Sequence, residues 1–238
     1  IKKPAKPVAQ TEQKKKKRTD PLNVIAVFER PFIEIRPGGK NVILSVNELK
    51  KPATSVDYEL EYQAGELLQG AFGTLELASL PATKDILLGS CSAGGACTYH
   101  TDVKGGSLLT RYTGEQNYAL KSDWKYIENK TKAKSFQSTD TKFEIESKEL
   151  SAQSTLIIFN TPGYPKTPTG TVISDIYSVT TVSPVKGTAK VTIQAAEDAP
   201  TSKIMGWDGQ AWQALTSKVN GQSVTADGNL FSVYVVVK

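Results

Sequence analysis

The chain has 238 residues, of which 39% are hydrophobic and 22% charged, with a net charge of +5, two cysteines and one histidine. That is the profile of a globular chain with room for one large or two small domains, and it excludes a wholly disordered one. No apolar run approaches the ~18 residues that a membrane-spanning helix requires. The positive charge is local: residues 1–20 hold eight Lys or Arg against two acids, and the remaining 218 residues sum to −1.

The first segment in chain order is that basic one, IKKPAKPVAQTEQKKKKRTD. It has no aromatic side chain and almost nothing to bury, so residues 1–21 are expected to form a disordered Lys/Pro-rich linker or tail. Lys14, Lys15, Lys16, Lys17 and Arg18 are its candidate contacts to a polyanion, such as an acidic wall polymer or an anionic membrane surface. Nucleic acid fits poorly, because the tail carries no stacking residue and the nearly neutral body continues no basic groove. The chain opens on Ile1 rather than Met, and an upstream signal or anchor segment is expected.

From Leu22 onward the hydrophobic period is two. In VDYELEYQ, Val56, Tyr58, Leu60 and Tyr62 point one way, and Asp57, Glu59, Glu61 and Gln63 the other. The same alternation runs through NVIAVFE, FIEIR, NVILSV, LLTRYTG and YALKSDWKY. Glycine-rich turns separate these runs, at 37–39, 94–95 and 105–106. Short helical turns fit NELKK and SKELSA. Glu59 and Glu61 share a face, but no second carboxylate strand can be placed opposite them, so glycosidase chemistry has no support.

GSCSAGGACTYH, residues 89–100, holds both cysteines and the only histidine. Cys97 and His100 differ by an odd number, so on an extended strand they face opposite ways, which argues against a Cys–His nucleophile. Cys91, Cys97, His100 and Asp102 lack the tight ligand pairs of a zinc site, although His100 and Asp102 share a face. No Lys-Ser/Thr pair follows the glycines, as a phosphate loop would need. The remaining reading is a hairpin whose ends reach disulfide distance, joining Cys91 to Cys97. A disulfide implies an oxidising compartment: extracellular, cell surface or periplasm.

Residues 129–140 are polar, basic and poor in large apolar groups, and the boundary between two domains is expected there, with domains at 22–128 and 141–238. Asn129-Lys130-Thr131 is a glycosylation sequon within that linker. Asp102, Asp123, Asp140 and Asp175 sit near strand ends, where sandwich modules sometimes hold calcium, but without a clustered acidic loop no metal or other cofactor is expected. In the second half FEIES, TLIIFN, VISDIYSVTTV, AKVTI, KIMGW, AWQAL, SVTA and LFSVYVVV read as strands, with Asp208-Gly209 suited to a tight hairpin turn.

The order SDIYSV, GTAKVTI, WDGQAWQAL, FSVYVVV resembles the closing immunoglobulin-like β-sandwich modules of bacterial secreted and cell-surface proteins. Trp207, Asp208, Gly209, Trp212 and Leu215 match the hairpin of those modules, and Phe231, Val233 and Tyr234 match their last strand. The resemblance covers residues 170–238 and implies a module used for display, spacing or adhesion, with no catalytic residues. The expected fold is therefore all-β: two tandem immunoglobulin-like antiparallel sandwiches behind the tail. The expected function is a non-enzymatic surface or secreted structural or adhesion protein, whose partners are other surface proteins, glycans or further copies of itself. One alternative is a carbohydrate-binding module using Trp207 and Trp212 as a platform, against packing of both rings on the sandwich edge. The other is polyanion binding through the tail.

Overall fold

A computed structural model of the protein describes residues 20–238, and these are all-β. The candidate contacts Lys14, Lys15, Lys16, Lys17 and Arg18 lie outside the described residues. The strands are β1 (Phe32–Gly38), β2 (Asn41–Glu48), β3 (Ser55–Ala64), β4 (Leu67–Glu76), β5 (Ala82–Leu87), β6 (Gly89–Cys91), β7 (Cys97–Tyr99), β8 (Val103–Thr113), β9 (Tyr118–Glu128) and β10 (Ser135–Gln137). They continue with β11 (Phe143–Glu146), β12 (Thr155–Thr161), β13 (Ile176–Thr181), β14 (Thr188–Gln194), β15 (Lys203–Trp207), β16 (Trp212–Ala214), β17 (Ser217–Asn220), β18 (Ser223–Asn229) and β19 (Val233–Val237). Among the described residues, 3-10 turns at Val27–Glu29 and Lys148–Ala152 are the helical elements, and no helix is long and apolar enough to cross a membrane.

The alternation read from the sequence places side chains as expected. Along β3, Val56, Tyr58, Leu60 and Tyr62 are buried and Glu59 and Glu61 exposed. SKELSA forms the second 3-10 turn, whereas NELKK does not turn into a helix, because β2 runs on to Glu48. NVIAVFE is not a strand: the 3-10 turn occupies its end, and the one isolated ladder contact nearby is a parallel bridge to Ala119 from the preceding residue, Leu22. Pro21 and Pro31 bracket the segment, and neither can donate a ladder hydrogen bond.

One antiparallel sheet organises the molecule. Its nine strands run β16-β15-β19-β13-β12-β9-β8-β3-β4. The two halves of the chain meet at its centre, where β12 pairs with β9 from Thr155 against Glu128 to Phe159 against Trp124. Two smaller sheets cover it: β1-β2-β5 and β10-β11-β14-β18-β17.

These covers lie on opposite faces, and β12 shows why. Ile157 and Phe159 join a core with Ile33, Val42, Leu60 and Trp124, beneath the three-stranded sheet. Their neighbours Leu156 and Ile158 join a second core with Ile145, Val191, Val224 and Tyr234, beneath the five-stranded sheet. Adjacent residues of a strand project to opposite faces, so each cover packs on its own side of the shared sheet. A smaller third cluster of Phe32, Tyr164, Ile176, Met205, Val233 and Val235 closes the remaining side of the C-terminal half. The β19 sequence VYVVV is buried throughout because both of its faces are covered.

Residues 129–140 are folded chain and not a bare connector. They include β10, an edge strand of the five-stranded sheet, with Phe136 buried between exposed Ser135 and Gln137. Asn129 is buried and organises the preceding turn: its Oδ1 accepts from the Ala133 N–H at 2.7 Å, and its Nδ2 donates to the carbonyls of Ala133 and Leu150. With both amide atoms engaged inside the fold, the sequon asparagine is not presented for modification. The polar composition reflects a short edge strand that has only one side chain to bury.

Candidate functional site

Two surfaces bring together the residues singled out by the sequence. The first is the hairpin of β6 and β7, closed by a disulfide between Cys91 and Cys97, whose Cα atoms are 4.0 Å apart. The five residues between the cysteines are all exposed, with the Ser92 N–H donating to the Ala96 carbonyl at 2.8 Å and the Gly95 N–H to the Ser92 carbonyl at 2.9 Å. The base is anchored: Leu88 is buried in the first core, and the His100 N–H donates to its carbonyl at 2.9 Å.

Beside the hairpin lies an open cavity of about 540 Å³, whose lining includes Lys40, Tyr99, His100, Thr101, Tyr126 and Lys130. Lys40 Nζ sits 4.0 Å from the centre of the half-exposed Tyr99 ring, a cation–π contact. Lys130 pairs with Glu128 at 2.7 Å, and the hydrogen bond and charge of that carboxylate raise the lysine pKa. The Tyr62 hydroxyl lies 2.9 Å from His100 Nδ1, and burial raises the phenol pKa. Behind it, Tyr62 meets Trp124 edge-on.

Strand parity does not extend to the end of this stretch. The β7 strand stops at Tyr99, and Asp102 takes a left-handed conformation with φ 53°. His100 therefore turns toward Tyr62, while Asp102 lies 3.8 Å from Lys130. The shared face assumed for His100 and Asp102 is not formed. Both sulfurs are in the disulfide, so this site offers no thiolate.

The strand-end aspartates are engaged separately. Asp140 accepts from Ser138 Oγ and the Lys142 N–H, and its second oxygen accepts from Tyr177 OH at 2.7 Å. Asp175 faces Lys142 at 4.0 Å. Among the described residues no three His, Cys, Asp or Glu side chains converge on a point where a metal would sit. The outer-face acids of β3 are also engaged: Glu59 faces Arg111 at 3.8 Å, and Glu61 accepts from Ser107 Oγ at 3.3 Å.

The second surface is the hairpin between β15 and β16. Asp208 shapes its turn by accepting from the N–H groups of Gln210 and Ala211, both at 2.8 Å, and from Gln213 Nε2. Those donors hold its pKa below the ordinary aspartate value. Trp207 and Trp212 do meet, but edge to face, with ring centres 5.4 Å apart and planes at 62°. They do not form a flat double platform. Both pack partly against the third core, and the Trp212 indole N–H donates to the Lys166 carbonyl.

Trp207 also borders a groove of about 670 Å³, lined among others by Arg36, Thr180, Lys186, Asp208 and Phe231. No sequence pattern signals this groove, since Arg36 reaches it from β1, far along the chain from the tryptophans. The ring of Phe231 lies over Gly206, where an added Cβ would stand 2.0 Å from it, so the backbone there must be glycine. Compared with protein-family models, curated proteins and solved structures, the chain finds no match.

Proposed function

We propose that the protein is a non-enzymatic extracellular or cell-surface component that displays immunoglobulin-like β-sandwich modules for adhesion or assembly, as part of a surface layer, an appendage or an adhesin. The observation that carries this reading is the disulfide-tied hairpin. Its five-residue tip is exposed, while its base is tied into the first core at Leu88. The bond therefore stiffens a projecting loop and not the protein interior, and stiff projecting loops on a rigid sheet suit recognition. A disulfide also fits an oxidising compartment. Labelling of intact native cells with a membrane-impermeant amine reagent, followed by mass analysis with and without reductant, tests both parts. Surface-labelled, disulfide-bonded protein is expected; two free thiols in unlabelled protein would refute the reading.

One observation favours carbohydrate binding as a second reading. The groove beside Trp207 combines an aromatic edge with Arg36, Thr180 and Asp208, the mixture that holds a sugar ring by stacking and hydrogen bonds. A glycan array compared between the native chain and Trp207→Ala decides it, provided the variant keeps its melting temperature. Equal binding by both removes this groove as the site.

A further inference from the structure

The nine-stranded sheet ends on an edge that neither ligand surface uses. The β4 strand is its terminal strand and hydrogen-bonds β3 alone. Open edges are ordinarily guarded by charge, proline or shortness. This one is ten residues long, and from Leu67 to Leu75 it carries no charged residue and no proline. Leu67, Leu68 and Phe72 are 65%, 66% and 84% exposed.

We infer that β4 is a self-pairing edge: two copies join antiparallel along Glu66–Thr74, about a two-fold axis through Gly70, and their main sheets become continuous. The inference gives the self-assembly part of the proposed function a specific surface. A second copy is the occupant that the edge fits. The opposite end of the same sheet, β16, has three residues, so head-to-tail stacking would pair ten residues with three. A two-fold joint about Gly70 pairs Leu67–Gly73 of β4 with the same seven residues and closes on itself.

The register follows from side-chain parity and charge. Across a two-fold antiparallel joint, opposed residues share a face. With the axis at Gly70, Leu68 meets Phe72 of the partner subunit on the outer face, and the reverse contact forms by symmetry. On the inner face Leu67 meets Gly73 of the partner subunit. The place of the missing side chain is filled by the Tyr58 ring, whose hydroxyl stands 2.7 Å from where a Cβ would be, so the leucine meets an aromatic surface there. Moving the axis to Ala71 sets Glu66 against Glu76, and moving it to Gln69 sets Glu66 against Phe72. Only the Gly70 register among these keeps acids from acids and apolar groups from charge. A single strand seam is small beside the ~1,200–2,000 Å² of a standard interface, so the dimer is reversible and concentration-dependent.

Sedimentation velocity of the full chain over a concentration series is expected to show a monomer–dimer equilibrium. Phe72→Lys removes two apolar contacts per dimer and is expected to weaken it on the order of a hundredfold. The side chain is exposed, so the monomer keeps its circular dichroism and melting temperature. Gly70→Cys, where a Cβ meets nothing closer than the Leu60 carbonyl oxygen at 3.6 Å, is expected to crosslink to its own counterpart on oxidation with diamide. Thr74→Cys, which faces Glu66 in this register, is not. A chain that stays monomeric at every concentration, a dimer unaffected by Phe72→Lys, or crosslinking through Thr74→Cys in place of Gly70→Cys would each overturn the inference. Dimerisation in solution is independent of where the protein resides, so failure here and failure of the surface labelling are separately visible.

Discussion

Because β12 serves two cores at once, truncating neighbouring residues in it is expected to destabilise both halves of the molecule through one transition. Ile157 is 0% exposed, pairs with Tyr126 on the adjacent β9 and shares the first core with Trp124; Ile158 is 1% exposed and faces the second. Each Ile→Ala change removes buried carbon and leaves a cavity, at a cost of about 2–5 kcal/mol. For a chain of this size 1 kcal/mol moves the midpoint by about 2–4 °C, so a cost of about 3 kcal/mol lowers the melting temperature by roughly 6–12 °C in either variant. Differential scanning calorimetry reads the transition, and fluorescence locates it. Trp124 reports the first core, and Trp207 and Trp212 report the C-terminal edge. A Trp207→Phe, Trp212→Phe background isolates the first signal. If the shared sheet couples the halves, both probes and the heat-capacity peak shift together in both variants. Two resolved peaks, with Ile157→Ala moving one and Ile158→Ala the other, would refute the coupling.

Two further outcomes follow from the same geometry. Opening the disulfide with Cys91→Ser, Cys97→Ser costs about 2 kcal/mol or less, because the closed loop spans a separation of only six residues; amide exchange is expected to rise at 92–96 while the core amides stay protected, and global unfolding of the variant would contradict this. At alkaline pH, burial holds the phenols of Tyr112, Tyr118, Tyr177 and Tyr234 well above their ordinary value of 10.0. The unfolded chain ionises these groups first, so their contribution is complete below about pH 10 and is lost as pH rises beyond it. Urea midpoints measured from about pH 8 to 11 should fall across that window, and Tyr118→Phe should make the fall shallower.

The strands were legible where one face is wet. VDYELEYQ and FEIES announce their orientation by alternating charge with bulk, and β3 and β11 follow it residue by residue. The joint between the halves was not legible, because LIIF in β12 is apolar on both faces and names neither its neighbours nor its cores. Residues 129–140 misled for the opposite reason: an edge strand with Phe136 as its one buried residue has the composition of a linker. The disulfide could be placed because its two half-strands are local in sequence. The groove beside Trp207 could not, because Arg36 comes from the other half of the chain.

The doubly buried β12 also leaves a question of registration during folding. A slip by one residue would turn Leu156 and Ile158 to the face of the first core and Ile157 and Phe159 to that of the second, and three of the four would still occupy buried places, the fourth taking the half-buried place of Thr155 or Asn160. Hydrophobic patterning within these four residues therefore selects the native alignment only weakly. The polar ends of the strand complete the selection: one slip direction brings Asn160 into the place opposite Trp124 that Phe159 holds, and the other brings Thr155 into the buried place of Leu156. The central strand of the sheet is thus proofread at its termini, by residues that contribute little to either core.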